Sequence, residues 1–244
     1  MPTEVLLVTV VLPIAVGTAL VLVIVARRRP PRGGNLTPLE SWIVSLVGAG
    51  GMLAAALGTL SLVTNAVVVF GSEPSIVNDI GYYGSPIDRL DGVEHLVNSG
   101  YQTAWVEVSG LPLGPRWLLY LETALPALTS IAIGVAVAWL SIMLLRGRPF
   151  TRALPHVIGA AAVAVVIGGL GGQVAGAFGR TATVEYLGVR EVTGGDDGNG
   201  PYPGLSLFTM NLDFAPIGWA LGLALVAAAF QIGVRMQKDT ETLV

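Results

Sequence analysis

The chain has no cysteine, which excludes disulfides, thiolate metal ligands and a cysteine nucleophile together. Charge is scarce as well. Only 12% of the 244 residues are Asp, Glu, Lys or Arg, about half the share of a soluble domain. Histidine occurs twice, at His95 and His156, and lysine once, at Lys238. No P-loop, dinucleotide-binding glycine fingerprint or HExxH motif is present. Catalytic residues, cofactor and metal are therefore all expected to be none, and no nucleic-acid partner is expected.

What fills the chain instead is apolar. Hydrophobic residues make up 53% of it, and the mean hydropathy is +0.71. They concentrate in five stretches, roughly Val5–Ala26, Trp42–Phe70, Leu118–Leu145, Val157–Phe178 and Pro216–Val234. A hydrocarbon core about 30 Å thick needs roughly 20 helical residues. Each stretch meets that length, and none has an ionisable residue near its centre. The expected fold is an all-α membrane protein of five transmembrane helices with a small β-rich extracytoplasmic cap. Residues 1–38 read as an extra transmembrane helix with a basic linker. Residues 39–244 read as a four-helix membrane domain with extracytoplasmic segments 71–116 and 179–214. The first stretch lacks a basic residue ahead of it and has Arg27, Arg28, Arg29 and Arg32 behind it, the pattern of a retained helix rather than a cleaved signal peptide.

Arginine and lysine collect on the cytoplasmic side of bacterial membranes. Arg27–Arg32, then Arg146, Arg148 and Arg152, then Arg235 and Lys238 fall in alternate turns of the chain. The expectation is an extracytoplasmic N-terminus and a cytoplasmic C-terminus in a bacterial cell membrane, multi-pass. The cluster Arg27–Arg32 could also meet anionic lipid headgroups, although orientation alone explains it. Within the extracytoplasmic segments, Gln102–Ser109 and Thr181–Val192 are rich in Val, Thr, Tyr and Trp, and Leu205–Phe214 alternates. These predict strands, with Gly194–Gly204 as a turn-rich interruption.

Polar side chains in or near the spans are few: Asn65, Glu122, Gln173, Gln231 and, at a helix start, His156. Coupled transporters and pumps place ionisable groups at depth. Glu122 is the one candidate, and an interfacial carboxylate is its simpler reading. The fourth stretch carries Ala160, Ala164, Gly168, Gly172 and Gly176 at a spacing of four, a ridge that permits close helix approach. Pro126 predicts a kink in the third stretch. Asp88, Asp91, Glu94 and His95 could form a weak divalent site, and Asp196, Asp197 and Asn199 resemble a calcium loop in composition. The first reads more simply as a solvated acidic surface. The second lacks the alternating ligand spacing and the closing glutamate.

Two short motifs remain. One is Leu145-Arg146-Gly147-Arg148-Pro149-Phe150-Thr151 after the third stretch. The other is Gly233-Val234-Arg235-Met236-Gln237-Lys238-Asp239-Thr240-Glu241 near the end. In this order and position they resemble the bacterial membrane family known as domain of unknown function 2975. The resemblance covers about Leu39–Val244. It implies four helices with a Gly-x-Pro-Phe hairpin between the second and third, no established activity, and a hint of signalling. The residues carrying it are Gly147, Pro149, Phe150, Gly233, Asp239 and Glu241. Gly147 can end a helix, Pro149 holds Arg148 extended, and Thr151 can cap the next helix. Asp239 and Glu241 are expected to latch onto Arg146, Arg148 or Arg152.

The function expected from all this is that of an integral membrane protein without evident catalytic activity. It would be an envelope sensor, a signalling protein or an accessory subunit of a membrane assembly. Its partners would be the lipid bilayer and either another membrane protein or further copies of itself, through the ridge Ala164, Gly168, Gly172 and Gly176. One alternative is a small transporter or homo-oligomeric channel. Another is a lipid-handling enzyme using Asp88, Asp91 and Glu107.

Overall fold

The computed structural model describes residues 37–83, 102–146, 154–188 and 204–241, with side chains of the last helix described as far as Met236. Four long helices and a small sheet make up these residues: α1 (Pro38–Gly71), β1 (Ser75–Tyr83), β2 (Thr103–Val108), α2 (Leu113–Leu145), α3 (Leu154–Leu187), β3 (Gly204–Leu205) and α4 (Ala215–Glu241). All four helices are long and apolar enough to cross a membrane, so the protein is a multi-pass membrane protein. The first apolar stretch, 5–26, lies outside the described residues, and the description covers four of the five expected spans.

The helices start where local chemistry demands it. Thr37 and Glu40 form a reciprocal capping box around the first turn of α1. The Thr37 N–H donates to Glu40 Oε2 at 2.8 Å, and the Glu40 N–H donates to Thr37 Oγ1 at 3.4 Å. At α4, the Ala215 N–H donates to Asp213 Oδ1 at 2.9 Å, with Pro216 in the first turn, where its missing N–H costs nothing. Pro126 lies inside α2. The helix continues through it, and Ser130 Oγ donates to the Pro126 carbonyl at 3.1 Å.

Contacts divide the chain into two units. One comprises residues 1–64, 124–170 and 213–244, the other residues 65–123 and 171–212. The first unit is purely helical where described. In it α1 crosses α2 at glycines. A methyl placed on Gly51 would lie 2.7 Å from the Gly134 carbonyl oxygen and 3.1 Å from Ala138 N, and one on Gly58 would lie 3.0 Å from the Ala127 carbonyl oxygen. The backbones therefore touch, an approach that only small residues allow. On α3, a side chain at Gly168 would collide with Thr129, whose hydroxyl reaches the Ala164 carbonyl at 2.9 Å and its own Leu125 carbonyl at 3.0 Å. α4 docks through Ala220 onto Ala162 and Val165 of α3, with Ile133, Val166 and Leu223 around them. Trp219, Leu221 and Leu225 stay exposed, as lipid-facing residues do.

The second unit holds the sheet, in the order β2-β1-β3 and antiparallel throughout. Ser75 faces Val108 and Val77 faces Val106. The register then shifts between Val77 and Ile80, and Tyr82 pairs with Leu205. Asp79, at φ 58°, sits in that bulge, in the left-handed region that short polar side chains tolerate. The extra residue lets both Val77 and Ile80 point inward. They pack with Val108, Leu111 and Val184, flanked by Leu119, Leu187 and Leu207.

Three expectations are corrected. Thr181–Val192 was to supply a strand, yet α3 runs on to Leu187. The Thr181 and Thr183 hydroxyls donate to the carbonyls four residues back at 2.9 and 2.8 Å, and Val184 and Leu187, three apart, join one core. Helical spacing thus wins over β propensity, and the segment expected to leave the helix at 179 does so only after 187. Of Leu205–Phe214 only Leu205 joins the sheet, opposite Tyr82. The last helix passes its expected end at Val234 and continues to Glu241, because Arg235-Met236-Gln237-Lys238 are good helix formers with no glycine or proline to stop them. The expected strand at Gln102–Ser109 is present as β2. The central strand β1 was not foreseen.

Candidate functional site

The second unit gathers the polar chemistry of the described residues into two knots. The first joins Arg116, Glu73 and the turn after β2. Arg116 lies in the first turn of α2 and is buried, at 6% exposure. Its Nε donates to the Leu111 carbonyl at 2.9 Å, one terminal nitrogen donates to the Val69 carbonyl at 3.4 Å, and the other pairs with Glu73 Oε1. Glu73 Oε2 accepts from the Gly110 N–H at 3.3 Å, and Gly110 holds a φ of 68°, where a Cβ would be strained. One guanidinium thereby ties the end of α1, the start of β1, the turn after β2 and the start of α2. The Arg116 bond, and then the Gly110 N–H, hold the Glu73 carboxyl below its ordinary value of 4.5.

That depression has a definite sign. A carboxylate with a lowered folded pKa adds stability above its unfolded pKa, and the contribution disappears as pH falls through the folded value. The difference in melting temperature between wild type and Glu73→Gln is expected to be constant above about pH 5 and to shrink toward zero in more acid solution. The effect is modest, because the Glu73 side chain is 56% exposed and solvent screens it. Arg116→Met should cost more, about 2–3 kcal/mol, since it strips partners from two backbone carbonyls. Thermal unfolding in detergent checks both. A Glu73→Gln curve parallel to wild type at every pH would remove the linkage.

The second knot is a carboxylate–guanidinium pair between α2 and α3. A terminal nitrogen of Arg180 donates to Glu122 Oε1 at 2.8 Å and to Oε2 at 3.0 Å. The side chains are 17% and 33% exposed, respectively. The carboxylate lies directly against Gly176, one turn before Arg180, where any side chain would displace it. The Nε of Arg180 is buried and makes no hydrogen bond among the described residues. Glu122, read from the sequence as an interfacial carboxylate, is paired with a cation within the fold. Sequence reading placed Glu122 near the end of its helix and Arg180 beyond the end of the next. The signal that could have joined them is the opposite charge at matching depth on consecutive antiparallel helices.

The third feature is an exposed apolar face. Opposite its buried side, the β1–β2 pair presents Ile76, 59% exposed, and Trp105, 65% exposed. Glu107 is the cross-strand partner of Ile76. No basic side chain shares this face among the described residues.

The remaining expected residues divide as follows. Gly168 meets Thr129 in one unit and Gly176 meets Glu122 in the other. Both therefore pack against the chain's own α2. Gly172 is buried, Ala164 half-buried and Ala160 exposed. Gly233 is half-buried inside α4 rather than beyond it. Gly147, Pro149 and Phe150, the side chains of Asp239 and Glu241, and hence the latch, lie outside the described residues. So do Asp88, Asp91, Glu94, His95 and the loop carrying Asp196, Asp197 and Asn199. Glu107 is exposed on β2, and no group of carboxylates and histidines among the described residues could hold a metal ion. The glycines of α1, Gly48, Gly51 and Gly58, were not singled out in the sequence, although their spacing of three and seven places them on one face. The chain matches no protein-family model, no curated protein and no solved structure.

Proposed function

We propose that this multi-pass membrane protein is a non-enzymatic sensor or accessory subunit whose working surface is the outward face of its β1–β2 sheet, on the extracytoplasmic side of a bacterial membrane. The observation that carries the reading is the contrast between the two faces of that sheet. Val77, Ile80 and Val108 are at most 2% exposed, whereas Ile76 and Trp105 on the other face stand open. A well-packed sheet that presents tryptophan and isoleucine to its surroundings has the composition of an interface core, and apolar side chains clustered in this way mark contact sites.

The polar groups of the spans support the same reading. Glu122 is held by Arg180, and the Thr129 hydroxyl lies against backbone carbonyls of α2 and α3. A transporter or channel needs polar groups directed into a pathway, and these are directed at each other. The placement of the N-terminus outside and the C-terminus in the cytoplasm rests on the arginine bias. Kinship with the family of domain of unknown function 2975 rests on the motif around Gly147-Arg148-Pro149-Phe150 and the one from Gly233 to Asp239.

The test is purification of the tagged full chain from its native membrane in mild detergent, beside an Ile76→Asp/Trp105→Asp variant, with mass spectrometry of what co-purifies. A stoichiometric membrane protein bound to wild type and lost from a variant of unchanged melting temperature is the expected result. The same partner retained by both, or none with either, would overturn the reading.

A further inference from the structure

We propose that the rings of Phe70, Trp117, Tyr120 and Phe178 mark the sheet-side boundary of the bilayer, with Trp117 and Phe178 seated among phospholipid headgroups and glycerol esters and the Glu122–Arg180 pair at that level. The inference rests on the helices being spans. It does not depend on which side of the membrane the sheet faces, or on the partner proposed above.

Contact geometry puts the four rings at one height. Phe70, at the end of α1, lies 4.8 Å from Trp117 and 5.5 Å from Tyr120 between ring centroids, and Trp117 lies 5.8 Å from Tyr120. On the next helix, a methyl on Gly179 would lie 3.0 Å from Leu119, and Gly176 abuts the Glu122 carboxylate. This antiparallel register sets Phe178 level with Tyr120. Trp117 and Phe178 are 53% and 52% exposed, so their free faces look away from the protein.

Chemistry changes at the same height. Beyond the rings come Glu73, Arg116, Thr183 and the sheet. Before them run Ala66–Val69 on α1, Leu125–Leu128 on α2 and Val174–Ala177 on α3. From each ring to the far end of its helix there is enough chain, at about 1.5 Å per residue, to cross a core of roughly 30 Å. The amphipathic rings of Trp117 and Tyr120 are the kind that settle at the headgroup level, and Phe70 and Phe178 lie at the same height. A docked protein would need an aromatic patch at one place, whereas a bilayer edge needs rings on successive spans at one level, which is what α1, α2 and α3 carry. The pair fits this plane. Glu122 lies just below the rings and Arg180 among them, so the guanidinium reaches down along its own helix to a carboxylate at the edge of the hydrocarbon.

The experiment uses the full chain in phosphatidylcholine nanodiscs whose acyl chains are brominated near either the ester end or the methyl end. In two variants Trp42, Trp139 and Trp219 become Phe, with Trp105 also replaced in one and Trp117 in the other. The lone Trp117 is expected to lose about half its emission to ester-end bromine and less to methyl-end bromine, as a headgroup-level ring would, while the lone Trp105 is unaffected. Quenching strongest at the methyl end, shielding of Trp117 from both probes (which would assign the rings to a protein contact), or equal quenching of Trp105 would overturn the proposal. Because the chain has no cysteine, single substitutions give a second reading if the tryptophan variants misfold. With a membrane-impermeant maleimide, Thr103→Cys should label fast, Phe178→Cys slowly and Ile167→Cys not at all. Both faces of a nanodisc are open to reagent, so the rates report depth rather than sidedness. Equal labelling at 103 and 178 would overturn the proposal.

Discussion

Replacing Glu122 with leucine should destabilise the protein by about 2–3 kcal/mol, less than the roughly 3–5 kcal/mol lost when a fully buried ion pair is broken from one side, because Glu122 is 33% exposed. The arithmetic depends on what is left behind. Arg180 is 17% exposed and its Nε is buried without a hydrogen bond among the described residues. Its charge is balanced by the two oxygens of Glu122 at 2.8 and 3.0 Å. Removing the carboxylate strands that cation against α2. Glu122→Gln, which keeps an acceptor oxygen but no charge, should fall between leucine and wild type. The double variant Glu122→Leu/Arg180→Met should recover most of the loss, because a matched apolar pair avoids the desolvation that both charges incur. An exposed pair would behave otherwise, with each single variant costing about 0–1 kcal/mol and the double variant giving nothing back. Unfolding of all four proteins in one detergent, by temperature or denaturant, decides between these patterns. Equal, small single-variant effects would mean that the pair is solvated in the membrane.

The helices were largely readable from composition and the contacts between them largely were not, and the reasons lie in particular residues. Each of the four apolar runs among the described residues became a helix, which satisfies the backbone within its own segment as lipid requires. The runs understated the helices wherever these pass beyond the apolar segment. Gly114–Trp117 opens α2 ahead of its run, and Thr181–Leu187 extends α3 in residues whose β-branched and aromatic character reads as strand. The choice there was made by packing, since Val184 at 0% exposure and Leu187 need the α3 backbone to reach β1. Strand β1 was hidden for a related reason. Asn78 and Asp79 break its alternation, and only the bulge they form makes Val77 and Ile80 co-facial. The members of the ion pair are 58 residues apart and each taken singly is an ordinary interfacial charge, so that only their matching depth on consecutive helices hints at the pairing. The sheet's open face was half legible. Trp105 was visible as an aromatic in a strand, but which side of the strand faces the core depends on register.

The crossing of α1 and α2 offers a prediction in which one residue step reverses the sign. Gly50 and Gly51 are neighbours in α1. A methyl on Gly50 meets nothing within 4 Å, while one on Gly51 lies 2.7 Å from the Gly134 carbonyl oxygen. Alanine is worth up to about 1 kcal/mol over glycine inside a helix, and at position 50 that gain is unopposed, so Gly50→Ala should be neutral or mildly stabilising. At position 51 the obstacle is backbone, which cannot rotate aside as a side chain can. The helices must separate, and the loss should be about 1–3 kcal/mol net of the propensity gain. Gly134→Leu should be the most damaging of the series, at about 3 kcal/mol or more, because the Gly51 carbonyl and Ala55 N, the latter 2.8 Å from a Cβ, both stand in its way. Separating α1 from α2 along this face also draws Gly58 off the Ala127 carbonyl and Gly48 off Ser141, so the penalty is spread over the whole crossing rather than relieved beside one residue. Melting temperatures of Gly50→Ala, Gly51→Ala and Gly134→Leu in the same detergent are the measurement. Similar values for the two alanine variants would mean that the helices do not meet at this face, and that the glycines of α1 face lipid instead of α2.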